Sequence, residues 1–275
     1  MKFNGEVVII TGGCGGIGKG LAESFIAEGA QVVIASQNED KLAQVAKELG
    51  VDHLKTDVTK IEEVKQLIEH TISRYRKIDI LINAAGIQAP VGPLQDVSAE
   101  ACVKTVELNL IGTMLCCKFS LPSMISNKKG KIVNFGGGGA ITPRPNFSAY
   151  ASSKAGVIRF TETLAEEVKE FNIDVNVIHP GSLNTQMNKD VLDAGSEMAG
   201  EAEYKKALEV QSGNTIPMAD VQEFVTFLSS NDSEGITGRI LYNQWDDWRD
   251  LTKESLQSSS LYTLRRIDGR SYHEK

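Results

Sequence analysis

The apolar positions of this chain follow two rhythms. Short β-branched runs alternate with longer stretches whose apolar residues recur every three or four positions, so strands and amphipathic helices are predicted in alternation. Residues 6–10 read as a buried strand. They lead into a glycine-rich turn at 11–18 and a helix with Leu21, Ala22, Phe25 and Ile26 at helical spacing. A second strand is predicted over 31–35 and a helix over 39–49. A third strand over 52–56 ends at Asp57-Val58 and precedes a helix over 61–75. A fourth strand over 78–82 ends in Asn83-Ala84-Ala85-Gly86. Residues 87–98 hold Pro90 and Pro93 and read as a loop. A long helix from about 99 to 126 carries Asn109. A fifth strand over 131–135 and a helix to about 171 follow. A sixth strand over 173–178 ends at His179-Pro180-Gly181. Residues 186–216 are polar, lack a strong period and contain Gly195, Gly200 and Gly213, so they read as a mobile lid. A short helix over 220–228 and a seventh strand over 239–243 complete the pattern.

Repeated strand-helix-strand units call for one α/β domain built on a parallel sheet with right-handed crossovers. The domain is assigned to 1–244, with a C-terminal extension over 245–275. In such sheets ligands bind at the carboxyl ends of the strands, where Asp57 and Asn83 fall. Composition changes this picture little. The net charge of −7 argues against nucleic acid or an anionic membrane as partner. No apolar run approaches the roughly 18 residues of a membrane span. The four cysteines show neither a disulfide framework nor metal spacing, and Cys116 and Cys117 read as buried thiols. No metal is expected, and a cytoplasmic, reduced setting is.

Two motifs carry chemistry. Strand, glycine-rich turn and helix at 6–26 form an arrangement that cradles a pyrophosphate, because glycines admit close approach and the helix N-terminus offers free N–H groups. Tyr150 and Lys154 are four apart on a predicted helix and so share a face. An ammonium beside a phenol favours the phenolate, which suits a tyrosine that moves a proton near neutral pH.

Taken in order, Thr11-Gly12-x-x-x-Gly16-x-Gly18, Asp57, Asn83-Ala84-Ala85-Gly86, Asn109, Tyr150-x-x-x-Lys154 and Pro180-Gly181 with Thr185 resemble the short-chain dehydrogenase/reductase family, in its compact single-domain branch. The resemblance covers residues 5 to about 245. It implies a Rossmann-type doubly wound seven-stranded parallel sheet and an NAD(P)-dependent oxidoreductase acting on a small-molecule alcohol or carbonyl substrate. Gly12, Gly16 and Gly18, with Ile17, would line the cofactor phosphates. Ser36 and Gln37 would lie by the adenosine ribose, Asp57 by the adenine, and Asn83 and Gly86 by the second ribose. Pro180, Gly181 and Thr185 would reach the nicotinamide. Tyr150 would be the general acid/base, Lys154 would hold the ribose and lower the tyrosine pKa, and Asn109 would anchor a relay water. A homodimer or homotetramer is implied, paired through the helices at about 99–126 and 150–171.

The chain departs from the family pattern in three places. The family's serine thirteen residues before the tyrosine is here Gly137, within Gly136 to Gly139. Losing such a donor costs roughly 10²–10³ in rate. Thr142, Ser148, a water or a glycine N–H would have to substitute, and the glycines are expected to leave room for a bulky substrate. An alternative follows: a cofactor-binding sensor or scaffold with little turnover. The end of the second strand, Ser36-Gln37-Asn38, offers neither the carboxylate that favours NAD nor an arginine for NADP; the missing acid tips the expectation toward NADP. Ala84 replaces a common asparagine, and His179 reads as a hydrogen-bonded strand-end residue. Arg144 reads as an exposed loop residue that could instead meet an anion. The tail holds both tryptophans, Trp245 and Trp248, and ends its apolar part at Leu261-Tyr262-Thr263-Leu264 before Arg265 and Arg266. Residues 245–266 are therefore expected to dock on the protein, across a subunit interface.

Overall fold

A run such as Val7-Val8-Ile9-Ile10 is apolar at every position because its strand is covered on both faces. In the computed structural model, which describes residues 1–256 and 259–265, Val8 and Ile10 face one hydrophobic layer and Ile9 the other. The strands are β1 (Val7–Thr11), β2 (Gln31–Ser36), β3 (Asp52–Lys55), β4 (Ile80–Asn83), β5 (Gly130–Phe135), β6 (Ile173–His179) and β7 (Ile240–Tyr242). They pair in parallel in the order 3-2-1-4-5-6-7. This is the single-domain doubly wound Rossmann-type sheet the resemblance implies. On one face lie α1 (Gly16–Ala27), α2 (Glu39–Leu49) and α9 (Met218–Ser229). On the other lie α3 (Ile61–Tyr75), α5 (Gly112–Asn127) and α6 (Ser148–Val168). Register places Thr11, Asn83 and Asn134 side by side, so the carboxyl ends of β1, β4 and β5 are level.

Three stretches differ from the periodicity. The long helix is broken into α4 (Ala99–Val106) and α5 by a π-helical turn at Glu107–Ile111. Asn109 lies in that turn, and such single π-turns inside α-helices are frequent at functional sites. The combined helix Ala99–Asn127, whose most apolar 18-residue window has a mean hydropathy of 1.3, is long and apolar enough to cross a bilayer, contrary to the composition reading. Cys116, Cys117 and Met124 of α5 nevertheless sit in the core against the sheet. The segment after β6 is not aperiodic but folds as α7 (Gln186–Ala199) and α8 (Glu201–Gln211). Non-helical backbone at Gly195 (φ +75°) and Gly200 (φ +87°) interrupts the rhythm that a sequence window needs to see.

The tail packs on its own chain. Trp248 is 1% exposed, with its ring centroid 4.7 Å from Phe224 and 5.4 Å from Phe227 of α9. A short helix α10 (Lys253–Leu256) buries Leu256. Beyond it, Tyr262 O accepts from Ile240 N at 2.7 Å, Leu264 N donates to Glu162 Oε1 at 2.6 Å, and the Arg239 guanidinium donates to the Leu256, Ser259 and Leu261 carbonyls. The expectations for Ser258, Arg266 and 269–275 lie outside the described residues.

Candidate active site

A cleft of about 400 Å³ opens at the carboxyl ends of the central strands, where the strand order reverses between β1 and β4. Ile17, in the first turn of α1, lines it, and the glycine turn lies just before that residue. Gly12 has φ +67°, and a Cβ there would meet Ala85 N at 2.8 Å, so only glycine fits. Helix α1 begins at Gly16 with no side-chain cap and no acid in its first turn. By contrast, α2 is capped by Asn38 and opens with Glu39 and Asp40. The N–H groups and positive dipole end of α1 are thus left for an outside anion. A Cβ on Gly16 would point across the cradle to Thr185 Cγ2 at 3.6 Å. These residues fit the pyrophosphate of a dinucleotide.

The other residues singled out in the sequence divide into two groups. Ile17, Gly86, Tyr150, Lys154, Pro180, Gly181 and Thr185 line the cleft. Gly18 packs on the backbone of Gly12 and Gly13. Ser36 stands at the end of β2, where its hydroxyl accepts from Cys14 Sγ at 3.0 Å. The Asp57 carboxylate accepts from Thr59 N at 2.9 Å and Thr59 Oγ1 at 2.7 Å. Burial alone would raise its pKa, but these bonds, with one from Gln37, outweigh burial and hold it below the usual range. Asn83 does not line the cleft. Its amide is buried beneath the strand ends and donates to Asn134 Oδ1 at 2.9 Å, because the parallel register sets the two asparagines side by side. A ribose contact at this position would fall to the backbone.

Asn109 is fully buried and its amide is engaged by protein. Oδ1 accepts from Ile87 N at 2.9 Å, and Nδ2 donates to Ile87 O at 2.9 Å and Ser153 Oγ at 3.0 Å. It ties the loop after β4 to α6. A Cβ on Gly86 would lie 3.4 Å from Asn109 Oδ1 and 3.6 Å from Lys154 Nζ, so these groups share one corner of the cleft.

Tyr150 and Lys154 share a face of α6 as their spacing requires, yet their electrostatics differ from the simple pairing. Lys154 Nζ donates to Phe135 O at 2.9 Å and lies 5.8 Å from the Tyr150 ring centroid. Burial pushes the ammonium pKa down to about 8. Burial also raises the Tyr150 phenol, and the charge that opposes this is Arg144, not Lys154. The Tyr150 hydroxyl stands directly over Gly137, where any Cβ would collide with it. The glycine at that position therefore makes room for the tyrosine itself rather than for a bulky substrate. Thr142 lines the cleft, whereas Ser148 does not.

Arg144 is the residue the sequence reading undervalued. Its side chain is only 14% exposed. It donates to Gln88 Oε1 at 2.9 Å and to Glu203 Oε2 of α8 at 2.6 Å, and its Cζ lies 3.8 Å from the Phe147 ring centroid. It thus bridges the loop after β4, the start of α6 and the helical segment above the cleft. His179 accepts from Gly181 N at 3.2 Å and stacks on Tyr242 at 4.7 Å. Burial first, then the charges of Lys206, Arg144 and Lys154, push its pKa down to about 4. The imidazole is neutral at pH 7.

Comparison with known proteins accords with this geometry. A family model described as short chain dehydrogenase matches residues 6–195. The 3-oxoacyl-[acyl-carrier-protein] reductase of Thermotoga maritima is 32% identical over 246 residues, 88% of this chain and 97% of that protein. Among solved structures, an actinorhodin polyketide ketoreductase variant with NADPH superposes with a TM-score of 0.78 at 30% identity, covering 86% of this chain and 95% of its own. An NAD+-bound xylitol dehydrogenase does so with a TM-score of 0.80 at 28% identity, covering 88% and 98%.

Proposed function

The chain belongs to the short-chain dehydrogenase/reductase family and is an NAD(P)-dependent oxidoreductase, and on that premise we propose that it interconverts a secondary alcohol and a ketone with Tyr150 as the general acid/base. The observation that carries this reading is the meeting, in one cleft, of an uncapped helix N-terminus over a glycine cradle with a buried tyrosine and lysine. When bound, a nicotinamide dinucleotide would supply or accept the hydride. The turn at Gly12, Gly16 and Gly18 would hold its phosphates, and Lys154 would hold its ribose. Tyr150 Oη gives a proton to the carbonyl oxygen as that oxygen gains charge, and takes it back in the oxidative direction. Arg144 stabilises the phenolate left behind. The N–H groups of Gly137, Gly138 and Gly139 have no protein acceptor among the described residues, and they take over the donor role of the missing serine. Asn109 positions the loop that carries Gly86.

Three finer readings belong here. NADP is favoured over NAD, because Ser36, Gln37 and Asn38 present no carboxylate to repel a 2′-phosphate. The four free thiols, three of them buried, suit a reducing cytoplasm. The assembly is a homodimer or homotetramer. The test of function is a screen of ketones and secondary alcohols with each reduced and oxidised nicotinamide cofactor, read by cofactor absorbance. Turnover with NADPH faster than with NADH supports the whole reading.

The second reading, a cofactor-binding sensor with little turnover, rests on Gly137 and on the raised phenol pKa. Tight cofactor binding with no turnover on any carbonyl or alcohol would favour it.

A further inference from the structure

Beside the main cleft lies a second chamber of about 300 Å³ that the proposed chemistry does not use. Apart from Gly181, no residue assigned above to the cofactor or to proton transfer lines it. The two spaces share Gly181 and six further residues, His179, Ser182, Lys206, Val210, Tyr242 and Trp245, so a ligand reaching Tyr150 can extend into the chamber. Two features define what the chamber would take.

The first is a cluster of three rings. His179 stacks on Tyr242 with ring centroids 4.7 Å apart and planes 15° apart. Tyr242 stacks on Trp245 at 5.1 Å and 20°, and His179 lies 6.3 Å from Trp245 at 28°, so the three rings close into a triangle rather than a row. Trp245 is 72% exposed although it lines both spaces, and leaving an indole in water is unfavourable. Trp245 is the most exposed of the three rings, so part of its indole is open to a ligand.

The second feature is a wall of mixed donors and acceptors. Lys206 and Glu209 line the chamber together, with Ser182, Asn214, Thr215 and Gln244. Lys206 and Glu209 contribute one charge of each sign and His179 is neutral, while in the main cleft Arg144 is paired with Glu203 at 2.6 Å. The chamber therefore has no net charge to attract an anion. An aliphatic chain would leave its polar groups desolvated without partners. A carboxylate or phosphate would meet Glu209. A group of neutral hydroxyls both donates and accepts, and so satisfies this wall. A ring bearing such hydroxyls also has an apolar C–H face that can lie against an indole.

We propose that the substrate is a neutral, polyhydroxylated ring of the carbohydrate or cyclitol class, held against Trp245 with its hydroxyls in the chamber lined by Lys206, Glu209, Asn214 and Gln244. This rests on the oxidoreductase reading of the main cleft and goes beyond it.

The test uses the full chain with NADP+ or NAD+. Oxidation rates are compared for neutral aldohexoses and myo-inositol, for cyclohexanol as the ring without the hydroxyl array, and for glucose 6-phosphate as the anionic form. A site built around hydrogen bonds rejects the analogue lacking them strongly, so kcat/KM for the best neutral polyol should exceed that for cyclohexanol by about 10²-fold or more. Trp245→Ala should raise the polyol KM roughly tenfold with kcat within about twofold and an unchanged melting temperature, since it removes ground-state binding at an exposed site. Preference for cyclohexanol or the phosphate, or a Trp245→Ala variant with the wild-type KM, overturns the proposal while leaving the main-cleft reading intact. If no alcohol or ketone turns over, that reading fails, and the chamber is tested separately by tryptophan fluorescence of the cofactor-loaded protein. Saturable quenching by a neutral polyol, absent in Trp245→Phe, upholds the chamber; no quenching by any of them overturns it.

Discussion

Gly137 and Tyr150 act as one unit. The sequence shows a glycine where a hydroxyl donor is expected, but only the packing reveals that the tyrosine hydroxyl stands over it. Gly137→Ala should therefore push the phenol from its place. A displacement of about 1 Å can cost on the order of 10² in rate, so kcat should fall by that order with cofactor affinity kept; steady-state kinetics and a cofactor titration check it. His179 gives a pH prediction. Its pKa is about 4 in the fold against an ordinary 6.5. An unfolded chain takes up the proton below pH 6.5, whereas the folded one resists until about pH 4. The stability from this group is therefore complete above pH 6.5 and is lost as the pH falls from 6.5 toward 4. His179→Gln should flatten that part of the pH dependence of the melting temperature relative to the wild type. The neutral, hydrogen-bonded state of His179 accords with its reading as a strand-end residue. Arg144 could not be read the same way, because its burial depends on Gln88 and Glu203, 56 and 59 residues distant.

At the scale of elements, most boundaries were legible from apolar period, since a strand buried on both faces and a helix buried on one leave different traces. Helices α2 and α3 begin and end where the pattern places them, at Glu39–Leu49 and Ile61–Tyr75. The misses share a cause. The π-turn at Glu107–Ile111 sits inside a helix whose flanks carry an unbroken apolar pattern, and the breaks at Gly195 and Gly200 cut a 31-residue stretch into pieces shorter than a reliable window. The tail was legible through its tryptophans, but they divide the work. Trp248 fills a hollow on α9, and Trp245 faces the cleft. Trp248→Ala should cost about 3–5 kcal/mol, the usual range for emptying an aromatic site in a core. Thermal or denaturant unfolding would read that loss, and a variant with unchanged stability would show that the tail does not secure α9.

For the whole molecule, strand order and the position of the cleft followed from the alternation of elements, because a parallel doubly wound sheet leaves one topological gap for a ligand. The substrate end was not legible, since its walls come from β6, β7, α8 and the tail, which only folding brings together. The same limit holds for assembly. Val103, Ile111 and Met114 remain 57%, 41% and 38% exposed on the α4–α5 helix, an apolar surface suited to a second copy. Sedimentation at micromolar concentration should give a multiple of 29.9 kDa, and a monomer mass would refute pairing through this face.

The central claim is that Tyr150 moves the proton that accompanies hydride transfer. Its most direct test is Tyr150→Phe assayed beside the wild type, with the best alcohol or ketone from the screen and with cofactor affinity measured in parallel. The account predicts that turnover is abolished while the cofactor dissociation constant stays within about twofold, because the hydroxyl acts on the substrate and the ring remains to fill its place. Near-wild-type kcat in Tyr150→Phe would contradict it.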